Sequence, residues 1–452
     1  MDSERRRRKT VGDVTKAPGS IMNFSNRWVQ LVAGITGMVA VANFQYSWTL
    51  FVLPLRERHG WDEVDIQYAL YLFFVPAQTW LAPLQGYLAE RFGPRKLLIS
   101  GGVLAGLGWM INAGASSLGM VYAAQALAGC GSGIVYSISM GSALKWFPDR
   151  RGLAAGLTAA AFGAGAAATV RPVRWTIAQH GYEQAFLWFG LGQAVVIVLA
   201  ALVMRFPRPG EAPAPTQSKV LQSVHDYTPR QTLRSPGFWL IYFMMMMGAI
   251  PGLLMLGYIA PLARDFAVAE TSVTILWVTS AALPLAMELD RVMGGLTRPV
   301  FGWISDHIGR EIAIFLAFAF EGFALFLLLQ FGHDPIMFVL MSGLAFFGWG
   351  AVFSLFPAVS ADMFGRKFAT TNYSILYTAK GAASLVVALC DLLRSHAGSW
   401  SPVFAVMISA DALAAFMALL VLRPLRRRSV RMEEEKRAAE TIRIGDRGPE
   451  FS

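Results

Sequence analysis

The chain alternates long apolar runs with short polar breaks. A hydrocarbon core about 30 Å thick demands roughly 20 apolar residues per helix. Runs of that order occupy 28–54, 65–89, 97–115, 119–142, 152–175, 183–204, 236–262, 272–303, 311–330, 335–356, 369–393 and 401–422. The pattern predicts an all-α integral membrane protein with about twelve transmembrane helices. One break is longer than the others. The stretch 205–235, with its Pro, Glu, Gln and Ser, reads as a linker between a six-helix half at 28–204 and another at 236–422. The tails at 1–27 and 423–452 are polar, and Glu433-Glu434-Glu435-Lys436-Arg437 reads as a solvated end rather than a domain.

Composition supports the pattern. The 452 residues are 55% hydrophobic and 15% charged, with mean hydropathy +0.47, which excludes a soluble domain of this size. The 43 glycines suit helices that approach closely inside a bilayer. Cys130 and Cys390 both fall in apolar runs, so neither a disulfide framework nor zinc spacing can be built. No nucleophile–base constellation stands out either. The expectation is no enzyme, no metal and no cofactor.

The formal charge of +10 raises the question of nucleic acid. Its distribution answers it. Arg5–Lys9, Lys16, Arg27, Arg91, Arg95, Lys96, Lys145, Arg150, Arg151, the linker, Arg310, Arg366, Lys367 and the last tail all fall on one side of the predicted spans. The opposite loops hold little beyond Arg56, Arg58, Arg264 and Arg394. Positive charge stays on the cytoplasmic side. This predicts a multi-pass protein of the plasma (inner) membrane with both termini cytoplasmic. The partners expected are the lipid bilayer and small anions, with no nucleic acid and no obligatory protein. No cleavable apolar stretch follows Arg5–Lys9 before Trp28, so no signal peptide is expected.

A repeat organises the two halves. Gly86-Tyr87-Leu88-Ala89-Glu90-Arg91-Phe92-Gly93 recurs as Gly302-Trp303-Ile304-Ser305-Asp306-His307-Ile308-Gly309, 216 positions later. Asp149-Arg150-Arg151 maps at the same offset onto Gly365-Arg366-Lys367. Parallel halves of this kind are the architecture of major facilitator transporters, with substrate held between the halves near the midplane. Glu90 and Asp306, with Arg150 and Arg366, are the candidate gating residues. Polar contacts between helix ends could lock one face and break when the carrier turns over. The plainer alternative is that these loops only cap helices and fix topology.

Two cations break the apolar pattern. Arg298 in Gly294-Gly295-Leu296-Thr297-Arg298-Pro299 and Lys380 in Leu376-Tyr377-Thr378-Ala379-Lys380 lie inside predicted spans. A cation at bilayer depth costs about 2.5–3.5 kcal/mol even on the lenient insertion scale. The repeat supplies a control: the equivalent positions in the first half are Ala82 and Ala164. The shared fold therefore does not require these charges, and a visiting anion is the reading they support. Ion pairing to Glu288 or Asp290 on the same helix is the structural alternative. Asp290, beside Arg291, is also the candidate proton site.

These residues resemble a known family. Gln45-Tyr46-Ser47-Trp48-Thr49-Leu50, Gly133-Ile134-Val135-Tyr136, Trp146-Phe147-Pro148-Asp149-Arg150-Arg151-Gly152, Arg298-Pro299, Asn372-Tyr373 and Ala379-Lys380 resemble the oxalate/formate antiporter family of the major facilitator superfamily. The resemblance runs from about residue 26 to 422. It implies a carboxylate between Arg298 and Lys380 in a cage of Gln45, Tyr46, Gln67, Tyr136, Trp349 and Tyr377. Phe162 and Phe353 stand where the family's oxalate carrier has Tyr, and Tyr377 where it has Trp. Asp290, Arg291, Arg171 and Arg174 also depart from the family pattern. The resulting expectation is alternating-access exchange of small carboxylates. The alternatives are a proton-coupled monocarboxylate symporter and, from another class, a transporter-like sensor.

Overall fold

The computed structural model describes residues 26–213, 221–223, 225–275, 277–432 and 435. The basic run Arg5–Lys9, Lys16 and the last tail beyond Met432, apart from Glu435, lie outside the described residues. Among the described residues, twelve membrane helices form two six-helix halves.

Prolines and glycines decide where these helices bend. The first span, Arg27–Tyr46, breaks at Ser47 and Trp48 and resumes as Thr49–His59. Ser47 is nearly helical, at φ −90° and ψ −3°, and its hydroxyl bonds the Asn43 side chain. The second span begins as Glu63–Tyr68 and passes through a π-helical turn, Ala69–Phe74. It continues as Val75–Trp80 and, after a bend at Leu81, Ala82–Phe92. Pro76 and Pro83 lack the N–H that regular helix bonding requires at those points. The third and fourth spans are Pro94–Ala113 and Leu118–Trp146. The fifth and sixth form one run, Arg151–Val203, interrupted only at Gly181, where φ is 87°.

In the second half, Pro236–Asp265 carries two internal prolines, Pro251 and Pro261. The eighth span, Ala282–Ile308, starts later than the predicted 272–303. Residues Ser272–Ile275 and Val278–Ala281 instead pair as an antiparallel hairpin. Val273, Thr274, Ile275, Val278 and Thr279 are β-branched, and such side chains suit strands. Hydropathy alone does not distinguish a short apolar strand from the start of a helix. The remaining spans are Arg310–Phe331, Pro335–Trp349 continued by Val352–Phe364, Ala369–Ala397, and Ser401–Met417. A π-helical turn, Ala418–Leu422, extends the last of these.

Residue 26, the linker and residues 423–432 share one face, called here the termini face. The hairpin and the turn after His59 lie at the far face. Between the fifth and eighth spans the backbones touch. A Cβ added to Gly152 would lie 2.2 Å from the Gly302 carbonyl, and one on Gly156 would lie 2.3 Å from the Arg298 carbonyl. Only glycine permits that approach, which brings the halves together on the termini side of the midplane.

Candidate functional site

The termini face is tied shut by two matching latches. Glu90, at the end of the second span, accepts from the backbone N–H of Thr370 at 3.1 Å and Thr371 at 3.3 Å, and from the Thr371 hydroxyl at 2.6 Å. Lys145 lies 3.1 Å from the same carboxylate. Asp306 occupies the repeat-equivalent position. It accepts from the N–H of Gly152 at 3.0 Å and Leu153 at 2.9 Å, and Arg310 reaches it at 2.6 Å. Each carboxylate of one half thus meets the N-terminal turn of a helix in the other, where unpaired N–H groups and the helix dipole favour negative charge. A third tie joins Arg151 to Asp362 at 2.8 Å and to the Ala361 carbonyl at 2.9 Å, with Arg310 on the same Asp362 at 2.8 Å.

Arg150 and Arg366, the basic gating candidates of the sequence, make no side-chain tie between the halves among the described residues. The Arg150 side chain is 61% exposed and approaches only Asp149, at 4.0 Å. Its neighbour Arg151 is buried in the seam. Arg366 is half-buried; its backbone N–H, with that of Lys367, donates to Asp226 of the linker. A helix turns about 100° per residue, so adjacent arginines face different surroundings, which the sequence does not reveal.

Above the latches, a cleft opens between the halves, enclosing about 1120 Å³ including its open mouth. Gln45, Tyr46 and Thr49 line it at the break in the first span. Trp349, Phe346, Gly163, Asp290, Arg291 and Arg298 line it from the tenth, fifth and eighth spans. Arg298 and Lys380 are each 4% exposed. Arg298 donates through Nη1 to the Ala159 carbonyl, across the interface between the halves. Lys380 donates to Gln78 Oε1 at 3.2 Å, Tyr377 Oη at 3.2 Å and Gln45 Oε1 at 3.4 Å. Both cations lie over one ring: Phe353 is 5.3 Å from the Arg298 guanidinium carbon and 5.9 Å from Lys380 Nζ.

An aromatic wall supports the pair. Tyr136 stacks on Tyr377 at 4.5 Å, and Phe162 meets both Tyr46 and Tyr136 edge-on at 5.4 Å. Trp349 meets Phe353 edge-on at 5.1 Å, and its indole N–H has no acceptor. Among the described residues no carboxylate lies within 4 Å of Arg298 or Lys380. The pairing alternative to Glu288 or Asp290 is therefore not realised. Glu288 is exposed, and Asp290 is buried with Oδ1 unpartnered. Arg171 and Arg174 are exposed near the far end of the fifth span.

Gln67 is not brought to the cations. It lies eleven residues before Gln78, about 16 Å up the second span. Gln78 takes the place expected of it, bonding Lys380 and, at 2.9 Å, Ser132. The signal was present: an amide inside an apolar span needs partners, and Gln78 satisfies that rule as well as Gln67 does. Sequence reasoning also missed Glu321 and Asp411, buried carboxyls of the ninth and twelfth spans, outside the cleft.

The sequence profile of the Major Facilitator Superfamily matches residues 33–295 and 254–444. The chain belongs to the major facilitator superfamily. It is a multi-pass membrane transporter, not an enzyme. The Oxalate:formate antiporter of Oxalobacter formigenes is 32% identical over 416 residues, covering 91% of this chain and 96% of that one. Human monocarboxylate transporter 11 is 32% identical over 142 residues, 31% of this chain and 30% of that protein. A solved human organic anion transporter superposes with a TM-score of 0.65 at 15% identity, covering 87% of this chain and 99% of that one.

Proposed function

We propose that this superfamily member carries small carboxylate anions by alternating-access exchange, in the manner of an oxalate/formate antiporter. One observation carries the reading: Arg298 lines a cleft between the halves, Lys380 is buried behind it on Gln45, and neither has a carboxylate partner among the described residues. Both lie near one Phe353 ring, so their separation is at most about 11 Å. At an effective dielectric of 20, the repulsion there is about 1.5 kcal/mol or more. An anion cancels that repulsion and accepts charge-assisted hydrogen bonds from both. The empty carrier resists closing around two cations, whereas the loaded carrier closes readily. Flux is then coupled as exchange. Sealed latches on the termini face and the cleft above them fit one end state of such a cycle. The positive-charge asymmetry supports a plasma-membrane orientation with the termini face cytoplasmic.

Asp290 favours a second reading, proton-coupled monocarboxylate symport. Its carboxyl lines the cleft and has an unpartnered oxygen. Proteoliposome uptake separates the two. Labelled oxalate, formate or acetate entering only vesicles preloaded with carboxylate supports exchange. Entry into empty vesicles, driven by an inward proton gradient, supports symport. No flux of any carboxylate under either condition would overturn both.

A further inference from the structure

Asp290 lies within the cleft, on the far-face side of the two cations. It is 4% exposed; Ser342 hydrogen-bonds its carboxyl and the Arg291 charge acts on it, but Oδ1 has no hydrogen-bond partner. The distance to the cations follows from the helix contacts. The close approach of Gly156 to the Arg298 carbonyl marks the level of the Arg298 backbone. Arg298 Nη1 reaches the carbonyl of Ala159, three residues further toward the far face. The guanidinium therefore stands about 5 Å above its own Cα. Asp290 lies eight residues above Arg298, about 12 Å along the helix. The remaining gap is about 7–9 Å, allowing for the lean of the Asp290 side chain toward the helix N-terminus. That gap is only the component along the helix axis; eight residues at about 100° each also set the two side chains about 80° apart around the helix, so the polar groups stand farther apart and a chain of about three or four carbons spans them with a hydrogen bond at each end. The wall along the gap is mostly apolar, with Leu253, Leu256, Met287, Phe346 and Trp349; Arg291 is its charged member.

We propose that Asp290 and this apolar wall form a second subsite, which takes the hydrogen-bond-donating end of a short carboxylate whose carboxylate group sits on Arg298 and Lys380. The ligand class is a hydroxy or amino carboxylate with its donor remote from the carboxylate. The inference rests on the carboxylate reading and specifies the other end of the molecule. A hydroxyl or ammonium satisfies the orphaned Asp290 oxygen, whereas a methyl end leaves it unpartnered in a low-dielectric wall. A second carboxylate would be repelled by Asp290, with Arg291 beside it offsetting part of that repulsion.

Calorimetric binding to the purified full chain tests this with four matched probes: butyrate, 4-hydroxybutyrate, 4-aminobutyrate and succinate. Wild-type protein should bind 4-hydroxybutyrate about tenfold more tightly than butyrate. Asp290→Ala should bring that ratio to about one. Asp290→Asn keeps an acceptor oxygen and should retain the hydroxyl preference while losing affinity for 4-aminobutyrate. Because each ratio is taken within one protein, a general loss of affinity does not obscure it. Succinate binding tighter than both donors, or a hydroxyl preference that survives Asp290→Ala, overturns the subsite. If all four bind weakly and Arg298→Gln changes none of them, the carboxylate reading itself fails. Carboxylate binding that depends on Arg298 but ignores the donor end rejects the subsite alone.

Discussion

Arg298 and Lys380 are held differently, and the difference predicts different roles. Arg298 has one carbonyl partner on Ala159, and its Nε is unpartnered. A planar fork with a free edge suits bidentate recognition of a carboxylate. Arg298→Lys keeps the charge and removes the fork. The expected result is at least about a tenfold loss of exchange rate at normal surface expression, measured by counterflow in proteoliposomes. Lys380 instead sits among three oxygens, on Gln78, Tyr377 and Gln45, as a point charge. Lys380→Gln removes one positive charge from the site while retaining hydrogen-bonding capacity. Its preference should move from dicarboxylates toward monocarboxylates; side-by-side counterflow of oxalate and formate checks it, and an unchanged ratio denies Lys380 that role. The cations themselves were legible in the sequence, because charge inside an apolar run is conspicuous. Gln78 was less so, since the first two spans hold six amides, Gln30, Asn43, Gln45, Gln67, Gln78 and Gln85, and only folding shows that Gln45 and Gln78 meet Lys380.

At the scale of the element, helix ends carry the latches. Glu90 and Asp306 each cap a helix of the opposite half, so the repeat places the same device at two related seams. A hydrogen bond to a charged group contributes about 1.5–3 kcal/mol. Replacing both carboxylates, Glu90→Gln with Asp306→Asn, should shift the balance toward opening of the termini face by about tenfold or more. The readout is maleimide labelling of Ser374→Cys in a background lacking Cys130 and Cys390. Ser374 lies in the seam, where a Cβ on Gly86 would be 2.7 Å from its hydroxyl. Faster labelling in the double variant is the expected outcome, and an unchanged rate removes these contacts from gating. Glu90 and Asp306 stand out in the repeated motif, whereas Arg150 and Arg151 are adjacent in it and only helix phase puts Arg151 in the seam. The hairpin at 272–281 escaped for a related reason: its apolar residues read as a continuation of the next helix.

For the whole molecule, the proposed orientation has a direct test. Arg150 lies at the termini face with its side chain 61% exposed, and Trp277 in the far-face hairpin is 91% exposed. With the termini face cytoplasmic, a membrane-impermeant maleimide should label Trp277→Cys in intact cells and Arg150→Cys only after permeabilisation. The reverse pattern would invert the orientation and the direction of the cleft. The sequence by itself determined the twelve-span, two-half architecture, since bilayer thickness sets helix length and the repeat is written in the chain. It also singled out the two cations, whose burial in lipid is too unfavourable to be incidental. Only the tertiary structure decided their surroundings: the shared Phe353 ring, the approach of Gln78 over Gln67, the burial of Arg151 and the placement of Asp290 in the cleft. Those depend on helix rotation and on contacts between residues hundreds of positions apart, which local hydropathy does not encode.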